Sequence, residues 1–145
     1  MMQIESPAFE AYQTIPQKYT CMGEDISPPF NIKDVPQNSK SLVFIMEDPD
    51  APHGIFVHWV AWNVSPKMVK IEENFSPPGR GRNDFGETDY RGPCPPKGKP
   101  HRYFFKLYAL DDALDLPAGS SKDQVEKAMN KHILDKTEII GIFQR

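Results

Sequence analysis

An apolar, partly β-branched run, Leu42-Val43-Phe44-Ile45-Met46, decides the fold class of this sequence. It is stopped by Asp48-Pro49, and a short apolar run with such a stop is typical of a strand that is buried on both faces. Next along the chain, the alternation in residues 57–64 predicts a second strand. One face of that strand would carry Val57, Trp59, Ala61 and Asn63, and the other His58, Val60, Trp62 and Val64.

Further apolar segments extend the predicted sheet toward both ends of the chain. Residues 103–110 form a third strand, and residues 139–143 form a fourth that is interrupted by Gly141. Shorter strands are expected near residues 3–9 and 30–32. One side of the third strand would carry Tyr103, Phe105, Leu107 and Ala109.

One helix is predicted at residues 121–134. Ser121 is followed three residues later by Gln124, which is the pattern of a capping box. Residues then recur at helical spacing: Val125, Ala128, Met129, His132 and Ile133. Strands outnumber helices, and 15 prolines separate the short apolar runs. We therefore expect one mainly β domain over residues 1–145, a β-sandwich or Greek-key sheet with one or two peripheral helices.

The composition of the chain narrows the class of function. With 145 residues and 39% hydrophobic residues, the chain can build a core. Its formal net charge of -3 argues against a dedicated nucleic-acid binder, because such a protein needs clustered cations. No apolar run approaches the roughly 20 residues of a membrane span, and the N-terminus lacks the basic start and apolar stretch of a secretory signal. We expect a cytoplasmic protein without an integral membrane segment, although a mature chain that had lost its signal would look the same.

The two cysteines, Cys21 and Cys94, are too few for the disulfide framework of a small secreted protein. We expect free thiols, and the alternative is a single Cys21–Cys94 bridge, because both residues fall in Pro/Gly-rich loops that can meet. Cys94 lies between two prolines and not at the start of a helix, which disfavours a Cys–His hydrolase.

Metal and nucleotide chemistry have little support in the sequence. Asp48, His53, His58 and His101 are candidate ligands, but no HExxH motif and no paired CxxC spacing is present. There is also no GxxxxGKS loop and no GxGxxG motif after a strand. We expect no metal, no cofactor and no catalytic residue.

Three segments combine functional side chains with a stiff backbone. They are residues 48–54, His58-Trp59 and residues 92–103. Proline fixes φ, so proline-rich loops can hold a pocket open at little ordering cost. His58, His101 and Tyr103 can donate hydrogen bonds to an oxyanion, and Asp48 can accept from a histidine or bind an ammonium group. Together they would suit an anion that carries an amine, as in a phosphorylated head group.

These segments, in this order, resemble the phosphatidylethanolamine-binding protein family, also called Raf kinase inhibitor-like proteins. The resemblance runs over nearly the whole chain and is nearest to the short bacterial and archaeal members. It is carried by Asp48-Pro49-Asp50-Ala51-Pro52, His58-Trp59, Gly92-Pro93-Cys94-Pro95-Pro96-Lys97-Gly98 and His101-Arg102-Tyr103, with support from Ser27-Pro28-Pro29, Asn83-Asp84-Phe85-Gly86 and Tyr90-Arg91-Gly92.

The resemblance implies an antiparallel β-sandwich with a small pocket at one end for phosphate-like anions and phospholipid head groups. It also implies a cis peptide bond at Ala51–Pro52 and, as in many prokaryotic members, a homodimer. The pocket would be formed by Asp48, Pro52, His58, Pro96, His101 and Tyr103.

We therefore expect a non-enzymatic binding or regulatory protein whose partner is a small phosphorylated or anionic ligand. The alternatives are a protease or kinase inhibitor that acts through its surface, and a weak hydrolase that uses the same pocket. Only a short stretch separates Ala51 from His58, and Cys94 replaces a glycine of the animal members. Kinase inhibition is therefore not carried over, because it depends on surface loops outside the pocket.

Overall fold

The computed structural model describes residues 1–145 and consists of two β-sheets and one α-helix. Its strands are β1 Gln3–Glu5, β2 Phe30–Lys33, β3 Ser41–Asp48, β4 Phe56–Val64, β5 Lys70–Ile71, β6 Gly79–Arg80, β7 His101–Leu110 and β8 Ile133–Phe143, and the helix, α1, is Lys122–Met129. The larger sheet has the order β6-β4-β3-β7-β8 and the smaller has the order β1-β2-β5. All neighbouring strands run antiparallel. The mainly β fold predicted from the sequence is confirmed.

The two sheets pack face to face around an apolar core. Phe30 of β2 contacts Phe44 of β3 and Phe105 of β7, with ring centroids 5.7 and 5.2 Å apart. Trp59 of β4 stacks on Phe44 at 5.3 Å. Burying a side chain of this size stabilises a fold by about 1.5–3 kcal/mol, so these rings hold the sandwich together. The prediction that Tyr103, Phe105, Leu107 and Ala109 share one side of β7 is confirmed, and that side faces this core.

The helix covers the other face of the larger sheet. Val125 and Met129 of α1 are buried in a second apolar cluster with Val43, Ile45 and Trp62. The helix begins with the predicted capping box, in which the Ser121 hydroxyl accepts from the backbone of Gln124 and the Gln124 side chain accepts from the backbone of Ser121. Capping satisfies backbone groups that a helix end otherwise leaves unpaired.

The helix ends earlier than the sequence predicted. It stops at Met129, and Lys131 has a φ of 73°, which no helix continues. Ile133 then pairs with Leu110 and begins β8, so the strand starts where the helical spacing was expected to go on. His132 therefore lies in a turn and Ile133 in a strand, and the prediction of a helix up to residue 134 is wrong.

The alternation predicted for β4 is broken by two irregularities in its pairing with β3. Met46 pairs with Trp59 and Glu47 with Val57, so His58 is an extra residue in a β-bulge. A second irregularity lies between the pairs Leu42–Val64 and Phe44–Ala61. One extra residue turns every following side chain to the other face. Trp59 and Ala61 share the inner face as predicted, but Val64 joins them, whereas Val57 joins Val60 and Trp62 beneath the helix.

The remaining strands differ from the predictions mainly in length. β1 ends at Glu5, β8 is longer than residues 139–143, and the two-residue strands β5 and β6 have no clear sequence signal. Gly141 within β8 is required by close packing, since a Cβ there would lie 2.5 Å from Ile15 Cγ1. No helix of the structure combines the length and apolar character that crossing a membrane requires.

Candidate functional site

A small cavity lies where three strands of the larger sheet meet at one end. β3 ends at Asp48, β4 begins at Phe56 and β7 begins at His101, and antiparallel pairing brings these three positions to the same edge. The cavity has a volume of about 100 Å³. It brings together all six residues predicted from the sequence: Asp48, Pro52, His58, Pro96, His101 and Tyr103.

His101 and Asp48 form a buried pair in the cavity. His101 Nδ1 lies 2.7 Å from Asp48 Oδ2, and both side chains are buried. A carboxylate accepts only, so Nδ1 carries the proton in this contact. The other carboxylate oxygen, Oδ1, accepts from the backbone of Asp50 at 2.8 Å. His101 Nε2 has no protein partner and reaches solvent, so it faces the cavity.

His58 presents the same ring atom to the cavity, but its other nitrogen has a different partner. His58 Nδ1 lies 2.7 Å from the backbone carbonyl oxygen of Arg91 and must donate to it. The side chain is 3% exposed, and the aromatic rings around it are those of Phe56, Phe85 and Tyr103. Burial lowers the pKa of His58 and outweighs the opposite effect of the Arg91 carbonyl. The ring is therefore neutral at neutral pH, and Nε2 faces the cavity with its lone pair.

The Tyr103 hydroxyl is the third polar group of the cavity, and it lies close enough to Asp48 for a hydrogen bond to that carboxylate to contribute to its raised pKa. Its ring is near both imidazoles, with centroids 5.4 Å from His58 and 6.4 Å from His101. Burial, and then the negative charge of Asp48, raise the pKa of Tyr103 well above its usual value. The hydroxyl therefore stays protonated and can donate.

The Pro52 wall of the cavity is held by an ion pair at its rim. Arg102 binds Asp50 through Nε and Nη2, each at 2.9 Å, and its backbone also donates to Asp50. These hydrogen bonds from Arg102 lower the pKa of Asp50 to about 2. The pair ties the loop after β3 to the start of β7, so two sides of the cavity are fixed to each other.

The peptide bond between Ala51 and Pro52 is trans, which corrects the cis bond implied by the resemblance. Two hydrogen bonds close this loop although the bond is trans. The backbone N–H of Asp50 donates to the Asp48 carboxylate, and that of Gly54 donates to the Ala51 carbonyl at 3.3 Å. The trans form is also favoured by about 0.5–1 kcal/mol before proline. Proline thus stiffens the wall here without a cis bond.

Cys94 lines the cavity and forms a disulfide with Cys21, which corrects the expectation of free thiols. The Cα atoms are 5.4 Å apart, although 73 positions separate the two residues. Their loops meet because Cys21 donates to the Pro93 carbonyl and because Gly92 packs directly on Tyr19, where a Cβ would lie 2.0 Å from the carbonyl oxygen. The same bond takes the Cys94 sulfur out of any nucleophilic role.

Sequence reasoning missed the aromatic part of the wall, formed by Phe56 and Phe85. Phe85 is held by Asn83, whose side chain is buried, accepts from the backbone of Phe85 and donates to the carbonyl of His58. The signal was present in Asn83-Asp84-Phe85-Gly86, because asparagine before such a stretch commonly forms a local turn. The hydrogen bond of His58 to the Arg91 backbone carbonyl could not be predicted from the sequence, because every residue type has this carbonyl.

The other candidate ligand for a metal lies away from the cavity. His53 is exposed and does not line it. The structure contains no group of three or more His, Cys, Asp or Glu side chains arranged to hold a metal ion. Larger depressions of about 240 to 370 Å³ occur elsewhere on the surface, and in one of them the charges of Arg80 and Asp89 already pair with each other.

Fold and site together define an antiparallel β-sandwich with a small polar cavity at the end of its larger sheet. The sequence model of one family, described as phosphatidylethanolamine-binding protein, matches residues 5–144. The chain therefore belongs to the phosphatidylethanolamine-binding protein family.

Relatives cover the chain from end to end. The UPF0098 protein of Methanothermobacter thermautotrophicus is 47% identical over 151 residues, which cover 99% of each chain. The UPF0098 protein of Aquifex aeolicus is 45% identical and covers 100% of this chain and 90% of its own length.

Two solved structures have the same fold. The crystal structure of a phosphatidylethanolamine-binding protein homologue from Chlamydia trachomatis matches with a TM-score of 0.95 at 41% identity, over 99% of this chain and 97% of that one. The Escherichia coli protein YbcL, described as a member of the mammalian family, matches with a TM-score of 0.92 at 28% identity, over 99% and 98% of the two chains.

Proposed function

We propose that this protein binds a small, phosphate-like anionic group in the cavity and acts as a binding or regulatory module. One observation carries the proposal: two imidazole nitrogens, His58 Nε2 and His101 Nε2, face a single cavity without protein partners, and the Tyr103 hydroxyl beside Asp48 lines the same cavity. None of these atoms is cut off from solvent, because Ser39 Oγ is the only buried side-chain polar atom without a hydrogen-bond partner. Atoms left free in a stiff-walled cavity are therefore suited to a ligand.

The volume of the cavity favours a head group over a larger molecule. At about 100 Å³ it holds roughly three water molecules of ~30 Å³ each. Cavities for drug-sized ligands measure about 300–1,000 Å³. A phosphate group fits this size, whereas the remainder of a larger ligand would stay outside the mouth.

The charges in the cavity favour a weakly charged anion. Asp48 is the negative group inside it, and a protonated His101 would balance that charge while donating from Nε2. Tyr103 adds a neutral donor. A ligand that also carries an ammonium group, as the family's name suggests, would gain from the Asp48 carboxylate.

Binding is a better proposal than catalysis because the cavity offers no activated nucleophile. The Cys94 sulfur is bonded to Cys21. The Tyr103 hydroxyl has a raised pKa and so is a poor nucleophile at neutral pH.

Calorimetric titration with inorganic phosphate tests the proposal. His101→Ala should weaken binding by about 1.5–3 kcal/mol, which is roughly 10- to 150-fold, because a hydrogen bond to a charged group is lost. His132→Ala is the matched control, since His132 also binds an aspartate, Asp111, at 2.8 Å but lies outside the cavity. Equal affinity in His101→Ala and the unmodified protein would contradict the proposal.

The cytoplasmic location and the homodimer remain predictions. The disulfide is relevant to the predicted location, because such bonds persist in oxidising compartments and in intracellular proteins of hyperthermophiles.

Light scattering of the purified protein at several concentrations tests the predicted homodimer. A molecular mass equal to one chain would contradict it.

A further inference from the structure

The two imidazoles of the cavity have different partners at Nδ1. His101 donates to the carboxylate of Asp48, which can balance a positive charge on the ring. His58 donates to the uncharged carbonyl of Arg91. The two Nε2 atoms therefore differ in chemistry, although they face the same cavity. Nε2 of His101 becomes a donor when the ring is protonated, and Nε2 of His58 is an acceptor while its ring is neutral.

The surroundings of His58 disfavour a charge on its ring, because burial lowers its pKa. Aromatic side chains pack against it from β4, β7 and the loop that contains Phe85. The charged groups nearby are engaged elsewhere: Arg91 binds Asp25 and Glu87, and Asp84 accepts from the backbone of Val57. The titratable and charged groups around the ring are Asp48, His101, Tyr103, Asp25, Asp84, Arg91 and Glu87.

An oxyanion is a poor partner for the neutral His58 ring. Its lone pairs would face the lone pair of Nε2, and two acceptors that face each other without a donor repel. A hydroxyl on the ligand removes this penalty by donating to Nε2. Elsewhere in the cavity, Tyr103 can donate to oxygen atoms of the ligand, and so can His101 Nε2 when its ring is protonated. The cavity thus combines one acceptor with donors.

We propose that the cavity selects a phosphate group that keeps one P–OH, so that it binds phosphate monoesters in preference to phosphodiesters of the same charge. This inference rests on the proposed function of the cavity. The P–OH donates to His58 Nε2, and the remaining oxygens accept from His101 and Tyr103. For amine-bearing ligands, free phosphoethanolamine is preferred over the phosphodiester head group of the intact lipid.

Methyl phosphate and dimethyl phosphate test the proposal in calorimetric titrations at pH 6. A monoester has its second pKa at about 6, so roughly half of the methyl phosphate carries a P–OH. Dimethyl phosphate has a single negative charge and no P–OH. Methyl phosphate should bind at least about fivefold more tightly, as expected when a buried acceptor finds a donor. The ratio of the two affinities should fall toward one by pH 8, where little methyl phosphate retains a P–OH.

His58→Phe is the matched variant, because phenylalanine keeps an aromatic ring among Phe56, Phe85 and Tyr103 but lacks Nε2. It should abolish the preference for methyl phosphate. If this variant does not fold, long-range ¹H–¹⁵N NMR of the unmodified protein with bound methyl phosphate reports the same atom. The spectrum should contain a proton on His58 Nδ1 and none on Nε2.

The outcomes separate this inference from the proposed function. Binding of neither ligand overturns the proposed function. Equal binding of both, or tighter binding of dimethyl phosphate, overturns the monoester selectivity and leaves the anion cavity intact. A His58 ring protonated on both nitrogens in the complex also overturns the selectivity.

Discussion

His101 Nδ1 lies 2.7 Å from Asp48 Oδ2, although 53 positions separate the two residues in the sequence. Asp48 is the last residue of β3 and His101 is the first of β7, and these two strands are neighbours in the larger sheet. The pair is therefore positioned by the pairing of long strands and not by a mobile loop. A rigid sheet holds a binding group in place more accurately than a loop does.

Replacing Asp48 should reduce the stability of the protein. Asp48→Ala leaves two donors, the buried His101 Nδ1 and the half-buried backbone N–H of Asp50, without an acceptor. Each such loss costs about 1–3 kcal/mol, measurable by urea unfolding. Asp111→Ala, which breaks the half-exposed pair with His132, should cost less than about 1 kcal/mol. Equal losses in the two variants would contradict this account of the Asp48 contacts.

The Asp50–Arg102 pair should make stability fall in acid over a defined range. The pKa of Asp50 in the folded protein is about 2, below its usual 3.8, chiefly because Arg102 donates to it. A lowered folded pKa stabilises the protein fully above the unfolded pKa, and this contribution is lost as the pH falls toward the folded pKa. The difference in unfolding free energy between the unmodified protein and Asp50→Asn should therefore shrink from pH 5 to pH 2. If this difference in unfolding free energy stays constant between pH 5 and pH 2, the Asp50–Arg102 pair is not the source of the acid sensitivity.

The disulfide should contribute strongly to stability. For two cysteines 73 positions apart, loop-closure entropy predicts about 4 kcal/mol of stabilisation. Replacing Cys21 and Cys94 together by serine should lower the unfolding free energy by that order. Treating the unmodified protein with dithiothreitol should have the same effect and none on the double variant. Unchanged stability after complete reduction would contradict the prediction.

The helix cap offers a perturbation far from the cavity chemistry. Ser121→Ala removes the hydroxyl that accepts from the Gln124 backbone and should cost about 1 kcal/mol. Ser121 does not line the cavity, so the affinity for inorganic phosphate should stay the same. Thermal unfolding and calorimetry on the same sample check both parts. A loss of affinity with this modest loss of stability would mean that binding depends on global stability and not on the cavity groups.

The motifs of the sequence predicted the convergence of the site because they flank strands. The apolar run before Asp48 and the apolar run that begins near Tyr103 each form a long strand, and antiparallel neighbours bring the end of one beside the start of the other. Local patterns and the family resemblance were enough for this part. The capping box at Ser121 could likewise be predicted from the sequence, because it depends only on two residues three positions apart.

The features that sequence reasoning missed depend on contacts between distant segments. The bulge at His58 depends on how β4 pairs with β3, which the sequence of β4 alone does not show. Its extra residue turns Val57 to the other face of the sheet, so the strict alternation predicted for this strand fails. The Cys21–Cys94 bond depends on how two loops fold back on each other. The tautomer of His58 is set by a backbone carbonyl, that of Arg91, which every residue type possesses.

The four histidines of the chain provide a direct test of the cavity as a binding site. Long-range ¹H–¹⁵N NMR spectra of all four rings can be recorded while inorganic phosphate is added. The Nε2 signals of His58 and His101 should shift together and saturate with one dissociation constant. His53, which is exposed, and His132, which pairs with Asp111, should stay unchanged. Shifts confined to His53 or His132, with none at His58 and His101, would contradict phosphate binding in this cavity.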